Sequence, residues 1–157
     1  MLGKFGLIPG VSRHTQGVID LLPEPDLPLR DRIARLSREV PRDDLQRWAA
    51  GLATGVVRDD AAHYPRIEWL GGTPGWRSYW ARTWGLRLLL HTGVDVATEP
   101  AIDVALLDES WRVREMALKV IARHEVSTEK DRVVALLDDP VARVRDHARR
   151  ALDLRAP

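Results

Sequence analysis

Aromatic side chains are concentrated in one short stretch of the sequence, together with arginines, and this combination can bind ligands. Four of the six tryptophans lie between residues 69 and 84, in a chain with a single phenylalanine. Trp76, Trp80 and Trp84 recur every fourth residue, the spacing of neighbours on one helical face. The arginines beside them are Arg77, Arg82 and Arg87. The pattern predicts an aromatic platform that stacks a base or a peptide side chain. The alternative is a bulky core layer between two parts of the fold.

Sequence patterns for catalysis and metal binding are missing. The chain has no cysteine, and its five histidines form neither an HExxH motif nor an i, i+4 pair. It contains no GxSxG, no phosphate-binding P-loop and no GxGxxG sequence. We therefore expect no catalytic residue, no metal ion and no cofactor.

Length and charge narrow the class of protein. A chain of 157 residues is expected to form one domain, residues 1–157, with a sizeable core. Its 24 basic residues against 23 acidic ones lack the excess that binding by phosphate neutralisation alone requires. No run of 18 apolar residues is present. We expect a soluble cytoplasmic protein that does not bind membranes.

Short helices, separated by prolines and glycines, make up the first part of the chain. Five of the ten prolines lie within the first 41 residues. Two amphipathic helices follow, "LRDRIARLSREV" and "DDLQRWAAGLATGVV", and the segment from Tyr64 to Gly75 is rich in glycine and proline. The sequence predicts an irregular helical region over residues 1–72 and a regular one over 73–157.

Five helices are predicted in the second part. Thr73 before Pro74 and Asp139 before Pro140 are helix starts, and Gly93 is a helix stop. The predicted helices span residues 74–91, 99–107, 111–124, 128–137 and 140–154.

These helices repeat in pairs. Ala105–Asp108 matches Ala135–Asp138 at a spacing of 30, and the segment from Val113 matches that from Val144 at a spacing of 31. A fainter copy beginning at Ala81 precedes them by 32 residues. A period near 30 with two helices per unit predicts an all-α stack, because one pair cannot bury its own apolar face.

The motifs "LLDE…VRxxAL" and "LLDDP…VRxxAR" resemble HEAT-like repeats, in the short form common in bacterial proteins. The resemblance implies a short right-handed α-α superhelix of helical pairs. It also implies a ladder between turn aspartates and helix arginines, formed by Asp108, Asp138, Arg114 and Arg145. In the first copy "WLGGTPG" replaces the acidic turn, which leaves the ladder contact of Arg82 open.

The resemblance implies that the second helix of each pair lines a concave surface. If Val113 and Ala117 face the core, then Arg112, Glu115, Lys119 and Arg123 face outward. Equivalent positions give two rows of side chains, which are Trp80, Arg112 and Arg143, and Arg87, Lys119 and Arg150. The rows predict a groove for an acidic or phosphorylated ligand. The alternative is a solvated helix face of mixed charge.

Three functions are compatible with these features. The favoured one is a non-enzymatic adaptor that binds a protein or acidic peptide segment on the concave face. The second is nucleic-acid binding, since the tryptophans and repeats are similar to bacterial alkylpurine DNA glycosylases, where Glu68, Glu115 or Asp146 would have to serve as the carboxylate. The third is a structural role with self-association through the Trp-rich edge.

Overall fold

The computed structural model describes residues 17, 21–127 and 130–153, and these segments contain helices and no strand. The α-helices are α1 (Leu29–Glu39), α2 (Arg42–Thr54), α3 (Ser78–Thr92), α4 (Glu99–Leu106), α5 (Trp111–His124), α6 (Lys130–Ala135) and α7 (Ala142–Asp153). Two 3₁₀ turns span Ile67–Leu70 and Leu136–Asp138. The predicted all-α class is confirmed. No helix among the described residues is long and apolar enough to cross a membrane.

The helices from α2 onward form two layers. Helices α2, α4 and α6 contact one another in sequence, and α3, α5 and α7 do the same in the second layer. Each helix of the second layer also packs on its predecessor in the chain, so the units are the pairs α2 and α3, α4 and α5, and α6 and α7. Helix α1 packs mainly on the 3₁₀ turn Ile67–Leu70.

Small residues allow the two helices of the first pair to approach closely. A Cβ atom on Gly85 of α3 would lie 2.5 Å from the carbonyl oxygen of Ala49 and 2.7 Å from the amide nitrogen of Ala53, both on α2. Ala117 and Ala148 occupy the equivalent, fully buried positions in α5 and α7. The second helix of each pair therefore has a small, buried residue at this position.

Helix α3 begins later than the sequence predicts. The Thr73-Pro74 pair belongs to a turn in which Gly75 has φ 81° and donates its amide to Asp59 Oδ2 at 3.0 Å. Because this left-handed conformation cannot continue a helix, the helix starts at Ser78. Helix α7 likewise starts at Ala142 rather than at residue 140.

The ladder exists in the structure, but two predicted members are wrong. Asp138 is not a partner, and among the described residues Arg145 contacts the backbone carbonyls of Asp139 and Pro140 in place of an aspartate side chain. Arg82 makes a two-pronged contact with Asp108, with Nε to Oδ2 at 2.6 Å and Nη2 to Oδ1 at 3.1 Å. Arg114 makes the same contact with Asp139, at 2.7 and 3.1 Å. The partner is therefore Asp139 and not Asp138, which is exposed.

The correction has a local cause. The 3₁₀ turn Leu136–Asp138 extends helix α6, so the extra residue between the repeats falls before the turn aspartate. Oδ1 of Asp108 accepts a hydrogen bond from the backbone amide of Ser110, and Oδ1 of Asp139 accepts one from the amide of Val141, both at 2.8 Å. The two aspartates therefore hold equivalent turns at a spacing of 31, and each binds the arginine of the preceding pair.

Arg114 and Arg145 each support the turn before their own helix. Nη1 of Arg114 donates to the carbonyl of Asp108, and Nη1 of Arg145 donates to the carbonyl of Asp139, both at 2.7 Å. Arg82 needs no acidic turn in "WLGGTPG", because its carboxylate partner comes from the following pair.

Candidate functional site

The tryptophans of the α3 region range from fully buried to exposed. Trp84 is buried, Trp80 is partly buried, and Trp76, just before α3, is 51% exposed. Their ring centroids lie 5.7 Å apart for Trp76 and Trp80 and 6.1 Å apart for Trp80 and Trp84. The core role therefore belongs to Trp84 and to Trp69, which is also buried. Trp76 presents an aromatic surface to solvent, as a binding platform requires.

Arg112 of α5 lies among three aromatic rings. Its Cζ atom is 4.4 Å from the centroid of Trp111, 5.5 Å from Trp80 and 5.7 Å from Tyr79. Cation–π contacts of this kind contribute about 0.5–2 kcal/mol and hold the guanidinium plane in place. Within the part of the chain that the structure describes, Arg112 has no carboxylate partner. It is a positioned cation whose N–H donors remain for a ligand.

Arg143 of α7 extends this arrangement to the next helix. Its Cζ atom lies 5.6 Å from the centroid of Trp111, so one indole is shared by two arginines from neighbouring helices. We name the set Trp76, Tyr79, Trp80, Trp111, Arg112, Lys119 and Arg143 the aromatic–cationic face. It spans α3, α5 and α7, and it contains the predicted row of Trp80, Arg112 and Arg143.

Glu115 does not face outward as the sequence predicts, because α7 covers it. It is 5% exposed. Its Oε1 atom lies 2.9 Å from Arg143 Nη2, 3.0 Å from Lys119 Nζ and 3.4 Å from His147 Nε2. The carboxylate is therefore an internal counter-ion beneath the aromatic–cationic face.

The charges around Glu115 shift its own titration. Burial by itself would raise the pKa of Glu115, but the hydrogen bonds and charges of Lys119 and Arg143 outweigh it and lower the pKa below its ordinary value. The carboxylate is consequently charged at neutral pH.

His147 lies in a positively charged environment. Burial lowers the pKa of His147 first, and Lys119, Arg150 and Arg143 lower it further, while Glu115 opposes them. The imidazole is therefore neutral at pH 7, and one carboxylate faces several cations.

The second predicted row is only partly available. Lys119 is engaged with Glu115, and Arg87 is turned toward the N-terminal region, where its Nη1 donates to the carbonyl of Leu70 at 3.5 Å. Burial lowers the pKa of Arg87. Arg150 and Arg123 are exposed, with no carboxylate partner among the described residues. The row therefore does not present three equivalent free charges.

The three carboxylates considered for base excision each contact a basic side chain. Glu68 lies 3.1 Å from Arg66 in the 3₁₀ turn before α3, and Asp146 lies 2.7 Å from Arg149 on the exposed side of α7. Glu115 is shared by three basic groups. None of these groups is an unpaired carboxylate at the aromatic–cationic face.

The described residues contain no group of histidine, aspartate and glutamate side chains that could hold a metal ion.

Comparisons of the chain with protein families, with curated proteins and with solved structures found no match.

Two contributors to this site are missing from the sequence interpretation, namely Trp111 and His147. Trp111 aligns with Ala142 in the next repeat, so the period of 31 does not mark it. Its position beside Arg112 at the start of a helix is the one local signal that identifies it.

Proposed function

We propose that this protein is a HEAT-like stack of helical pairs that acts as a binding module, without catalytic activity, and that it holds an acidic protein segment on the aromatic–cationic face. The observation that carries the proposal is Arg112, a guanidinium fixed among three aromatic rings with no carboxylate partner in the described residues. Beside it, Trp76 offers an apolar surface to solvent. Tryptophan, tyrosine and arginine are the residues that most often dominate protein-binding energies.

A protein segment fits this face better than a nucleic-acid backbone. Binding to duplex or single-stranded nucleic acid gains most of its affinity from many phosphate contacts along a continuous basic track. Here Arg87 is turned to the Leu70 carbonyl, and Asp146 introduces negative charge on α7. The overall charge of +1 adds little attraction at long range. Separate acidic groups on a peptide match this interrupted pattern.

The absence of catalysis is part of the same proposal. The three carboxylates that could stabilise a positive transition state each contact a basic side chain already. Their charge is offset before any substrate arrives. A cytoplasmic location is also proposed, in keeping with a sequence that has no cysteine.

The proposal can be tested by capture of partners from native cells on immobilised protein, with and without nuclease. The test variant is Trp76→Ser with Arg112→Gln. The matched control is Val104→Ser with Leu107→Ser, two exposed apolar side chains of the α4 region in the first layer. We expect nuclease-resistant protein partners that the test variant loses and the control variant keeps. Loss by the control alone, or loss of all partners after nuclease, would contradict the proposal.

A further inference from the structure

We propose that the anion recognised by the aromatic–cationic face is a phosphorylated side chain of the bound protein segment, in preference to an aspartate or glutamate. This inference rests on the proposed function and specifies its ligand. The chemistry required is a phosphate monoester, which carries about −1.5 to −2 charges at pH 7 and three acceptor oxygens.

Two guanidinium groups can act on one phosphate. The Cζ atoms of Arg112 and Arg143 lie 4.4 and 5.6 Å from the same Trp111 centroid, so both guanidinium groups contact one indole ring. A carboxylate has two oxygens and is satisfied by a single arginine fork. A phosphate has a third oxygen and can accept from a second fork at the same time.

The local charge also matches a dianion. Arg112, Lys119 and Arg143 carry three positive charges, Glu115 carries one negative charge, and His147 is neutral at pH 7 because its pKa is lowered. Two positive charges therefore remain without a counter-ion among these groups. A phosphate monoester neutralises both, whereas a carboxylate neutralises one.

The face is organised before a ligand arrives. Arg112 is held by Trp111, Trp80 and Tyr79, and Arg143 is held by Trp111 and by Glu115. Because these contacts restrict the side chains in the free protein, binding loses less rotamer entropy than it would with solvated arginines. A diester in a nucleic-acid backbone carries a single charge, so it gains less from this local excess.

The test uses three pools of fluorescent peptides with identical degenerate flanks and a central phosphoserine, aspartate or serine. Binding to the full chain is measured by anisotropy, with single-stranded DNA of mixed sequence as a fourth probe. We expect the phosphoserine pool to bind at least about fivefold more tightly than the aspartate pool. Arg112→Gln should abolish that preference.

Two further variants keep the test interpretable. Arg112→Lys retains the charge without the fork and should reduce the preference, while Arg38→Gln, at an exposed arginine of α1, should leave it unchanged. Equal binding of the phosphoserine and aspartate pools, both tighter than the serine pool, would overturn this inference and leave the proposed function standing. Equal binding of all three pools would overturn both. Tightest binding to the DNA, or no binding to any pool, would overturn both.

Discussion

At the scale of single residues, arginines divide into two groups with different roles. Arg82 and Arg114 each hold the turn aspartate of the following pair, with side chains that are mostly buried. Arg112 and Arg143 lie two residues before Arg114 and Arg145 and contact aromatic rings at the surface. A shift of two residues on a helix turns a side chain to another face, so neighbouring arginines serve the fold and the aromatic–cationic face separately.

The ladder predicts unequal costs for two similar substitutions. Arg114→Ala should lower the free energy of unfolding by about 3–4 kcal/mol, because it leaves Asp139 buried without its charged partner. Arg145→Ala should cost about 1 kcal/mol, because its hydrogen bonds among the described residues go to the carbonyls of Asp139 and Pro140 and not to a carboxylate. Urea melts measure both values, and equal losses would show that the ladder contacts do not stabilise the fold as described.

His147 gives the fold a predictable response to acid. Burial and the nearby cations lower the pKa of His147, so the unfolded chain takes up its proton near pH 6.5 and the folded chain does so only at lower pH. Between those two values the unfolded state binds more protons, and stability falls as the pH falls. Between pH 7.5 and 5.5 the melting temperature of the His147→Gln variant should therefore fall less than that of the wild type.

The control for this measurement is Val104→Gln, which changes an exposed, non-titrating side chain of α4. Its pH profile should follow the wild type. An unchanged slope in His147→Gln would mean that the imidazole titrates alike in the folded and unfolded states. At lower pH, protonation of Glu115 and Asp139 should reduce stability in every variant, because the folded state lowers both pKa values.

At the scale of helices, sequence periodicity predicts where the helices lie in the chain better than which of their side chains are buried. The span 111–124 of α5 agrees with the prediction to the residue, and the repeat places Trp80, Arg112 and Arg143 at equivalent positions. Glu115 could not be placed this way, because α5 lies between α3 and α7 and has few exposed positions. Burial of a charged residue depends on the neighbouring helix, which a pattern within one helix does not contain.

Turn geometry limits the sequence prediction in the same way. The sequence alignment pairs Asp108 with Asp138, which places the one extra residue of the later repeat after the aspartate. In the structure the 3₁₀ turn Leu136–Asp138 places that residue before the aspartate. The consecutive residues Asp138 and Asp139 have the same side chain, so composition cannot distinguish them. Only the hydrogen bond to the Val141 amide and the contact with Arg114 identify Asp139.

The close crossing of α2 and α3 gives a prediction at this scale. Gly85→Ala should destabilise the protein by about 1–3 kcal/mol, because the new Cβ meets backbone atoms of Ala49 and Ala53 and the helices must separate. This loss exceeds the gain of about 1 kcal/mol that alanine usually brings over glycine in a helix. Thermal unfolding measures the net effect, and a stabilised variant would show that the crossing tolerates a larger separation.

At the scale of the whole molecule, the aromatic–cationic face is a product of stacking. Its members come from the α3 region, α5 and α7, and the ladder fixes how these helices lie beside one another. At its outer end, Arg149 of α7 is exposed and contacts Asp146, where α3 and α5 have buried Leu86 and Leu118. The aromatic–cationic face therefore depends on all three pairs.

Photocrosslinking in the native cell tests the central claim most directly. A photoreactive phenylalanine analogue is placed at Trp76 or Lys119 on the aromatic–cationic face, and at Val104 or Leu107 on the first layer as the comparison. We predict nuclease-resistant protein adducts from Trp76 and Lys119 that are lost when Arg112→Gln is added, and few from the other two positions. Adducts that form mainly at Val104 and Leu107, or that consist of nucleic acid, would contradict the assignment of this face as a protein-binding surface.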